Sequence, residues 1–265
     1  MYGFELHRPS SVSEAVALLA DPDSRPLAGG QSLVAAMKLR LAAPTRLVDL
    51  GGIEELRGIR REGEALVIGA GSRHADIAQS DEVLRAIPAL AGLAAGIGDL
   101  QVRNLGTLGG ALANNDPAAC YPAAVLGLGA AIRTDRREIA ADDFLKGMYE
   151  TALEPGELIT AVSFPIPERA AYIKFENPAS RFALVGVFVG RDRQGQVRVA
   201  VTGCAGCAFR AAPLEQALQA SFTPDAAKAV RIPEDDLSSD LHASAAYRAH
   251  LIPVLAARAV ARALQ

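Results

Sequence analysis

Twice along this chain a pair of glycines stands where an apolar run gives way to a segment with helical spacing. The first is Ala28-Gly29-Gly30-Gln31-Ser32, reached through Pro26 and Leu27. The second is Gly106-Thr107-Leu108-Gly109-Gly110, followed by Ala111 and the polar run Asn114-Asn115-Asp116. Glycine lets a backbone approach another group closely, because no Cβ intervenes. A strand that turns on glycine into a helix aims backbone N–H groups at an anion, commonly a phosphate. Two such turns, flanked by the uncharged donors Gln31, Ser32 and Thr107, suit two walls around one extended ligand. The residues alone also allow two independent structural turns. Neither common phosphate fingerprint is present: there is no Gly-Lys-Ser/Thr ending and no set of three spaced glycines.

A third glycine stretch, Ile68-Gly69-Ala70-Gly71-Ser72-Arg73-His74, follows an apolar run and invites a dinucleotide-fold reading. His74 occupies the third glycine position, where helix and strand pack closely only without a side chain. No strand ending in an acid follows at the required distance, so a nicotinamide site is not expected. The four histidines (His7, His74, His242 and His250) show no ligand spacing, and Cys204 and Cys207 form a lone CxxC. Without a second pair they cannot complete a four-ligand site, so no metal is expected on this chain. The net charge of −3 argues against a nucleic-acid partner. No apolar run is long enough to span a membrane, and the N-terminus lacks the basic-then-apolar pattern of a secretory signal. The three cysteines make no disulfide framework. The expectation is a cytoplasmic protein.

Periodicity predicts an α+β chain. Ser11 to Glu14 read as a capping box ahead of a short helix through Leu19. Strands are predicted over 26–30, 46–50, 65–71, 130–134, 158–164 and 171–175, and helices over 32–41, 81–95 and 118–126. The glycine-punctuated stretch 96–116 receives no element. Residues 182–190 and 196–203 flank the polar turn Asp192-Arg193-Gln194-Gly195 and predict an antiparallel hairpin. Helices follow over 213–219 and 245–264, the last expected to kink or divide at Pro253. A composition shift over 167–180 marks a boundary between domains of 1–170 and 171–265.

Three stretches together, AGGQSL at 28–33, RNLGTLGGALANNDPAACYPA at 103–123 and IKFENPASRFALVGVFV at 173–189, resemble one family. It is the FAD-binding medium subunit of the molybdenum hydroxylases, the group of xanthine and carbon monoxide dehydrogenases. The resemblance implies a two-subdomain FAD-binding fold of the vanillyl-alcohol oxidase (PCMH-like) type over about 1–55 and 56–170. A small antiparallel-sheet-plus-helices C-terminal domain, of the carbon monoxide dehydrogenase flavoprotein type, would follow over 171–265. It implies an oxidoreductase subunit that takes electrons from [2Fe–2S] clusters on a small partner and hands them through FAD to an external acceptor. Substrate would be oxidised at molybdopterin on a large partner, the whole forming a dimer of heterotrimers.

Carried over by position, the resemblance places Leu27, Ala28, Gly29, Gly30, Gln31, Ser32 and Leu33 with Gly106, Thr107, Gly109, Gly110 and Ala111 along the diphosphate and ribityl chain. Ile97 and Gly98 match the position that packs on the isoalloxazine. Ile159 matches an apolar residue beside the flavin and adenine, and Lys174 a lysine near the ring. Many relatives have an aspartate where this chain has Cys120, a departure from the resemblance that leaves Asp116 or Asn115 as the candidates to take over its contact with a ribityl hydroxyl. Two other readings remain at this point: a self-contained flavin oxidoreductase resembling the enolpyruvyl reductases, and an assembly module without flavin.

Overall fold

Parallel neighbours cannot be joined by a tight turn, so crossovers organise the N-terminal part of the chain. In the computed structural model, which describes residues 1–265, the strands Glu5–His7, Arg46–Asp49 and Ser24–Leu27 lie side by side in that order, all parallel. The helix Val12–Leu19 carries the first crossover. Its N-cap Ser11 accepts from the Glu14 N–H at 3.2 Å. The Glu14 carboxylate accepts from the Ser10 N–H at 2.8 Å, one residue earlier than a standard capping box. The helix Leu33–Lys38 carries the second crossover and is separated from the first glycine pair by Gln31 and Ser32, the latter its N-cap.

A second sheet of five antiparallel strands runs Ile59–Glu62, Ala65–Gly69, Ile159–Pro165, Ala131–Thr134, Glu138–Ala140. The helices between its second and third strands cover it and fill a core of 30 buried residues. The helix expected over 81–95 is two, Asp81–Ala86 and Pro88–Ala95. They part at Ile87, whose φ is −142°, because the residue before proline is forced out of the helical region. The stretch 96–116 forms the helices Leu100–Leu105 and Leu108–Asn114. At six and seven residues they are too short to display a periodicity.

The third sheet, Arg169–Glu176, Ala183–Arg191, Val197–Thr202 and Phe209–Arg210, is antiparallel and contains the expected hairpin. Val185, Val187 and Val189 face a C-terminal core shared with the helix Ala245–Ala263, while Phe188 and Ala200 belong to the larger central core. Apolar residues on both faces explain why this hairpin reads as a continuous hydrophobic run. The sheet therefore joins the two cores. Pro253 does not divide the last helix: Ala245–Ala263 continues through it, held by a buried face that includes Leu251, Ile252, Leu255 and Val260. Packing of that face outweighs the one backbone bond that proline removes.

Candidate cofactor site

The two glycine pairs meet. A Cβ added to Gly29 would stand 2.0 Å from the Leu105 carbonyl oxygen and 2.7 Å from the Gly106 Cα. Across the same junction, a Cβ on Gly110 would stand 2.8 Å from the Thr107 hydroxyl and 3.7 Å from the Ala28 Cβ. Backbone against backbone at the Gly29 distance is possible only for glycine, which explains the first turn.

The walls differ in what they offer. In the first loop the consecutive N–H groups of Gly29, Gly30, Gln31, Ser32 and Leu33 donate to no acceptor in the chain. Gly30 holds φ +69°, and the Gln31 side-chain amide donates back to the Gly29 carbonyl at 2.9 Å, bracing the turn. In the second loop the Thr107 N–H likewise donates to no acceptor in the chain, while its neighbours are engaged. Gly106 donates to the Val102 carbonyl, Leu108 to Ser72, Gly109 to Ala70, and Ala111 to Thr107. Gly110 donates to the Thr107 hydroxyl at 3.1 Å, the N-cap of the helix Leu108–Asn114. The two loops thus offer amides unequally, five consecutive ones from the first and that of Thr107 from the second. The first loop holds the row of donors, and the second is the floor against which it packs.

That floor is built by the stretch that resembles a dinucleotide motif. Ala70 and Ser72 supply the acceptors just named, and Arg73 bridges Thr107 in antiparallel sense. His74 fills the space beside Gly106, where a Cβ would come within 2.6 Å of the imidazole Nε2. The imidazole is 4% exposed and its centroid lies 5.3 Å from that of the Tyr121 ring. Burial first, and the nearby Arg103 charge second, push its pKa down to about 4, so it is neutral at pH 7.

A third element, the turn Gly96-Ile97-Gly98, closes the group. Lys174 reaches it from the strand Arg169–Glu176: its Nζ donates to the Gly96 carbonyl at 2.6 Å and to the Arg181 carbonyl at 2.8 Å. The Lys174 side chain is 9% exposed. Arg103 Nη1 donates to the Ile97 and Gly98 carbonyls, each at 2.9 Å. Gly98 holds φ +51°, and Ile97 packs against the central core. Sequence reasoning missed Arg103 and His74, although both stand within stretches it quoted. Their roles arise from contacts across loops, which no spacing rule encodes.

Three further expected residues have side chains held by contacts of their own. Asn115 is fully buried in the left-handed region at φ 40°, and its amide donates to the Gly147 and Glu150 carbonyls at 2.8 and 2.9 Å. It anchors the hairpin Leu145–Gly147 and Glu150–Thr151 rather than presenting donors outward. Asp116 accepts from the Ala118 N–H at 2.8 Å and the Tyr149 hydroxyl at 3.3 Å. Ile159 is 4% exposed inside the central core. Cys120 is buried beside Tyr172, and burial pushes its thiol pKa up.

Comparison with known proteins bears on what this junction holds. Residues 2–167 match the family described as FAD binding domain in molybdopterin dehydrogenase. The chain belongs to this family. Like it, the carbon monoxide dehydrogenase medium chain of Afipia carboxidovorans is 38% identical, over 98% of this chain and 96% of that one. The nicotine 6-hydroxylase medium subunit of Paenarthrobacter nicotinovorans is 36% identical, over 96% and 95%. The similarity extends to three dimensions. A crystal structure of the Cu,Mo-CO dehydrogenase aligns with a TM-score of 0.88 at 36% identity, covering 99% of both chains. Quinoline 2-oxidoreductase from Pseudomonas putida 86 aligns with a TM-score of 0.88 at 31% identity, over 99% and 97%. The fold of this FAD-binding family member is thus of the PCMH type, and its sequence relatives are subunits of dehydrogenases and hydroxylases. No helix is long and apolar enough to cross a membrane.

Proposed function

We propose that the chain is the FAD-binding electron-transfer subunit of a cytoplasmic, heteromeric molybdenum hydroxylase. It works beside a large molybdopterin-binding subunit and a small [2Fe–2S] subunit in a dimer of heterotrimers. The observation that carries the reading is the first glycine loop: consecutive N–H groups without internal acceptors, pressed against a second glycine loop that a single Cβ would push away. A diphosphate is the anion whose charge and length suit such a row of donors. Bound FAD supplies the electron acceptance and release, and the chain supplies the rest.

In this reading Gly29, Gly30, Gln31, Ser32 and Leu33 donate to the diphosphate, with Leu27 and Ala28 setting the approach. Thr107 accepts the Gly110 N–H through its hydroxyl oxygen and keeps its own O–H to donate to a phosphate or ribityl oxygen. Gly106, Gly109, Gly110 and Ala111 keep the second loop close enough to serve as floor. Ile97 and Gly98 present the flat turn along which the isoalloxazine lies, and Lys174 fixes that turn from the C-terminal domain. Asn115, Asp116 and Ile159 act from behind, through the hairpin and core they hold in place.

Purification of the native protein through an affinity tag on this chain, with its neighbouring genes expressed, tests the assignment. FAD, a molybdopterin-containing chain and an iron–sulfur chain should elute together. A lone flavinated chain that oxidises a substrate unaided would favour the self-contained oxidoreductase. A lone chain without flavin would favour the assembly module.

A further inference from the structure

Three successive carbonyls of one turn accept from cations. Lys174 Nζ serves Gly96 at 2.6 Å, and a single nitrogen, Arg103 Nη1, serves both Ile97 and Gly98 at 2.9 Å. The two cations are not equivalent. Lys174 has Glu176 at 3.8 Å, which offsets part of its charge. Arg103 makes no ion pair with any carboxylate of the chain; its other charged-capable neighbour, His74, is neutral at pH 7. Arg103 also sits in the last turn of the helix Leu100–Leu105, directly before Gly106, whose N–H donates to the Val102 carbonyl. One short helix thus carries both the clamp on the turn and the floor of the phosphate loop.

We propose that Arg103 is a positioning residue for the flavin: it locks the 96–98 turn to the second glycine loop and holds an unneutralised positive charge beside the ring. This rests on the reading above, in which that turn lies along the isoalloxazine. Reduction adds negative charge to a flavin, and a nearby cation without a counter-ion lowers the energy of the more negative state. The guanidinium suits both tasks. Its fork reaches two carbonyls from one nitrogen, and it stays charged at any physiological pH.

The test uses the full chain loaded with FAD and three variants. Arg103→Met removes charge and donors, Arg103→Gln removes charge but keeps a donor, and Arg103→Lys keeps charge. The flavin midpoint potential is measured by spectroelectrochemical titration, with the FAD dissociation constant and the thermal midpoint alongside. Both neutral variants should favour the reduced over the oxidised flavin roughly tenfold less, a potential lower by about 30 mV for a two-electron couple. Arg103→Lys should stay near the wild-type potential while binding FAD more weakly. A purely structural role would lower the thermal midpoint and leave the bound flavin at its wild-type potential, and that result overturns the proposal. If Arg103→Met does not fold, Arg103→Gln is decided by the same reading. A wild-type chain that takes up no FAD overturns the cofactor assignment and this inference together, whereas loaded neutral variants at wild-type potential overturn this inference alone.

Discussion

Replacing Gly29 by alanine puts one methyl carbon at the junction of the two glycine loops. The added carbon would lie 2.0 Å from the Leu105 oxygen, 2.6 Å from the Leu105 carbonyl carbon and 2.7 Å from the Gly106 Cα. Real Cβ contacts essentially stop at 3.0 Å, so the loops must separate by about 1 Å at least (3.0 − 2.0). All three obstacles are backbone atoms, and no side chain can swing aside to relieve them. The second loop is also tied to Ala70, Ser72 and Val102 by its own N–H groups, so the first loop is the one that moves. Overpacking of this kind costs about 1–3 kcal/mol. Read as lost affinity, that is roughly a fivefold to hundredfold rise in the FAD dissociation constant. Any share taken from the fold lowers Tm by roughly 2–4 °C per kcal/mol for a chain of this size. Fluorescence titration of flavin-free Gly29→Ala, with a thermal melt by circular dichroism, reads both shares. Wild-type FAD affinity at an unchanged Tm would show that the loops do not meet as described.

Gly110→Val should also weaken FAD, because its Cβ presses on the Thr107 hydroxyl and toward Ala28, while the helix Leu108–Asn114 persists by circular dichroism; full flavination would reduce this loop to a plain turn. The pH dependence of stability should carry the mark of His74. Its pKa is about 4 in the fold against 6.5 ordinarily, so its contribution is complete above pH 6.5 and is lost as pH falls toward 4. By pH 5 the loss should be about 2 kcal/mol, and chemical denaturation of the protein and of His74→Asn at pH 7 and pH 5 checks whether that loss disappears with the imidazole. Glu157 should act in a lower window: its carboxyl is held at about 2, chiefly by the Arg137 hydrogen bond, so its stabilisation is complete above pH 4.5 and declines below it. Acid-unfolding curves of Glu157→Gln should be flatter between pH 4.5 and 2, and an identical curve would remove this carboxylate from the acid response.

Much of this architecture is legible in the sequence, because its elements follow local rules. The Ser11 cap and the hairpin around Asp192 to Gly195 fall where turn chemistry puts them, and the strand expected over 65–71 is present as Ala65–Gly69. The Gly-Gly pairs are legible as a pair of turns, since glycine without a side chain signals close approach. What they approach is not legible. The partners of Gly29 and Gly106 are a carbonyl and an imidazole from other parts of the chain, and only tertiary structure supplies them. The same limit hid Arg103, whose two carbonyl partners lie five and six residues back through an irregular turn. Asn115 shows the converse: a polar residue in a glycine-rich stretch resembles a ligand donor, yet both N–H groups of its side-chain amide hold a hairpin. Pro253 shows that packing overrides propensity when a long helix has a whole buried face.

The central claim is that the first glycine loop binds a diphosphate, and equilibrium titration of the flavin-free chain with FAD and with FMN tests it most directly. FMN presents one terminal phosphate, whereas FAD presents a diphosphate to the whole row of N–H groups at 29–33. Hydrogen bonds to a charged acceptor contribute about 1.5–3 kcal/mol each. FAD should therefore bind at least roughly a hundredfold tighter than FMN, about 2.7 kcal/mol. Equal dissociation constants for the two flavins would contradict the account.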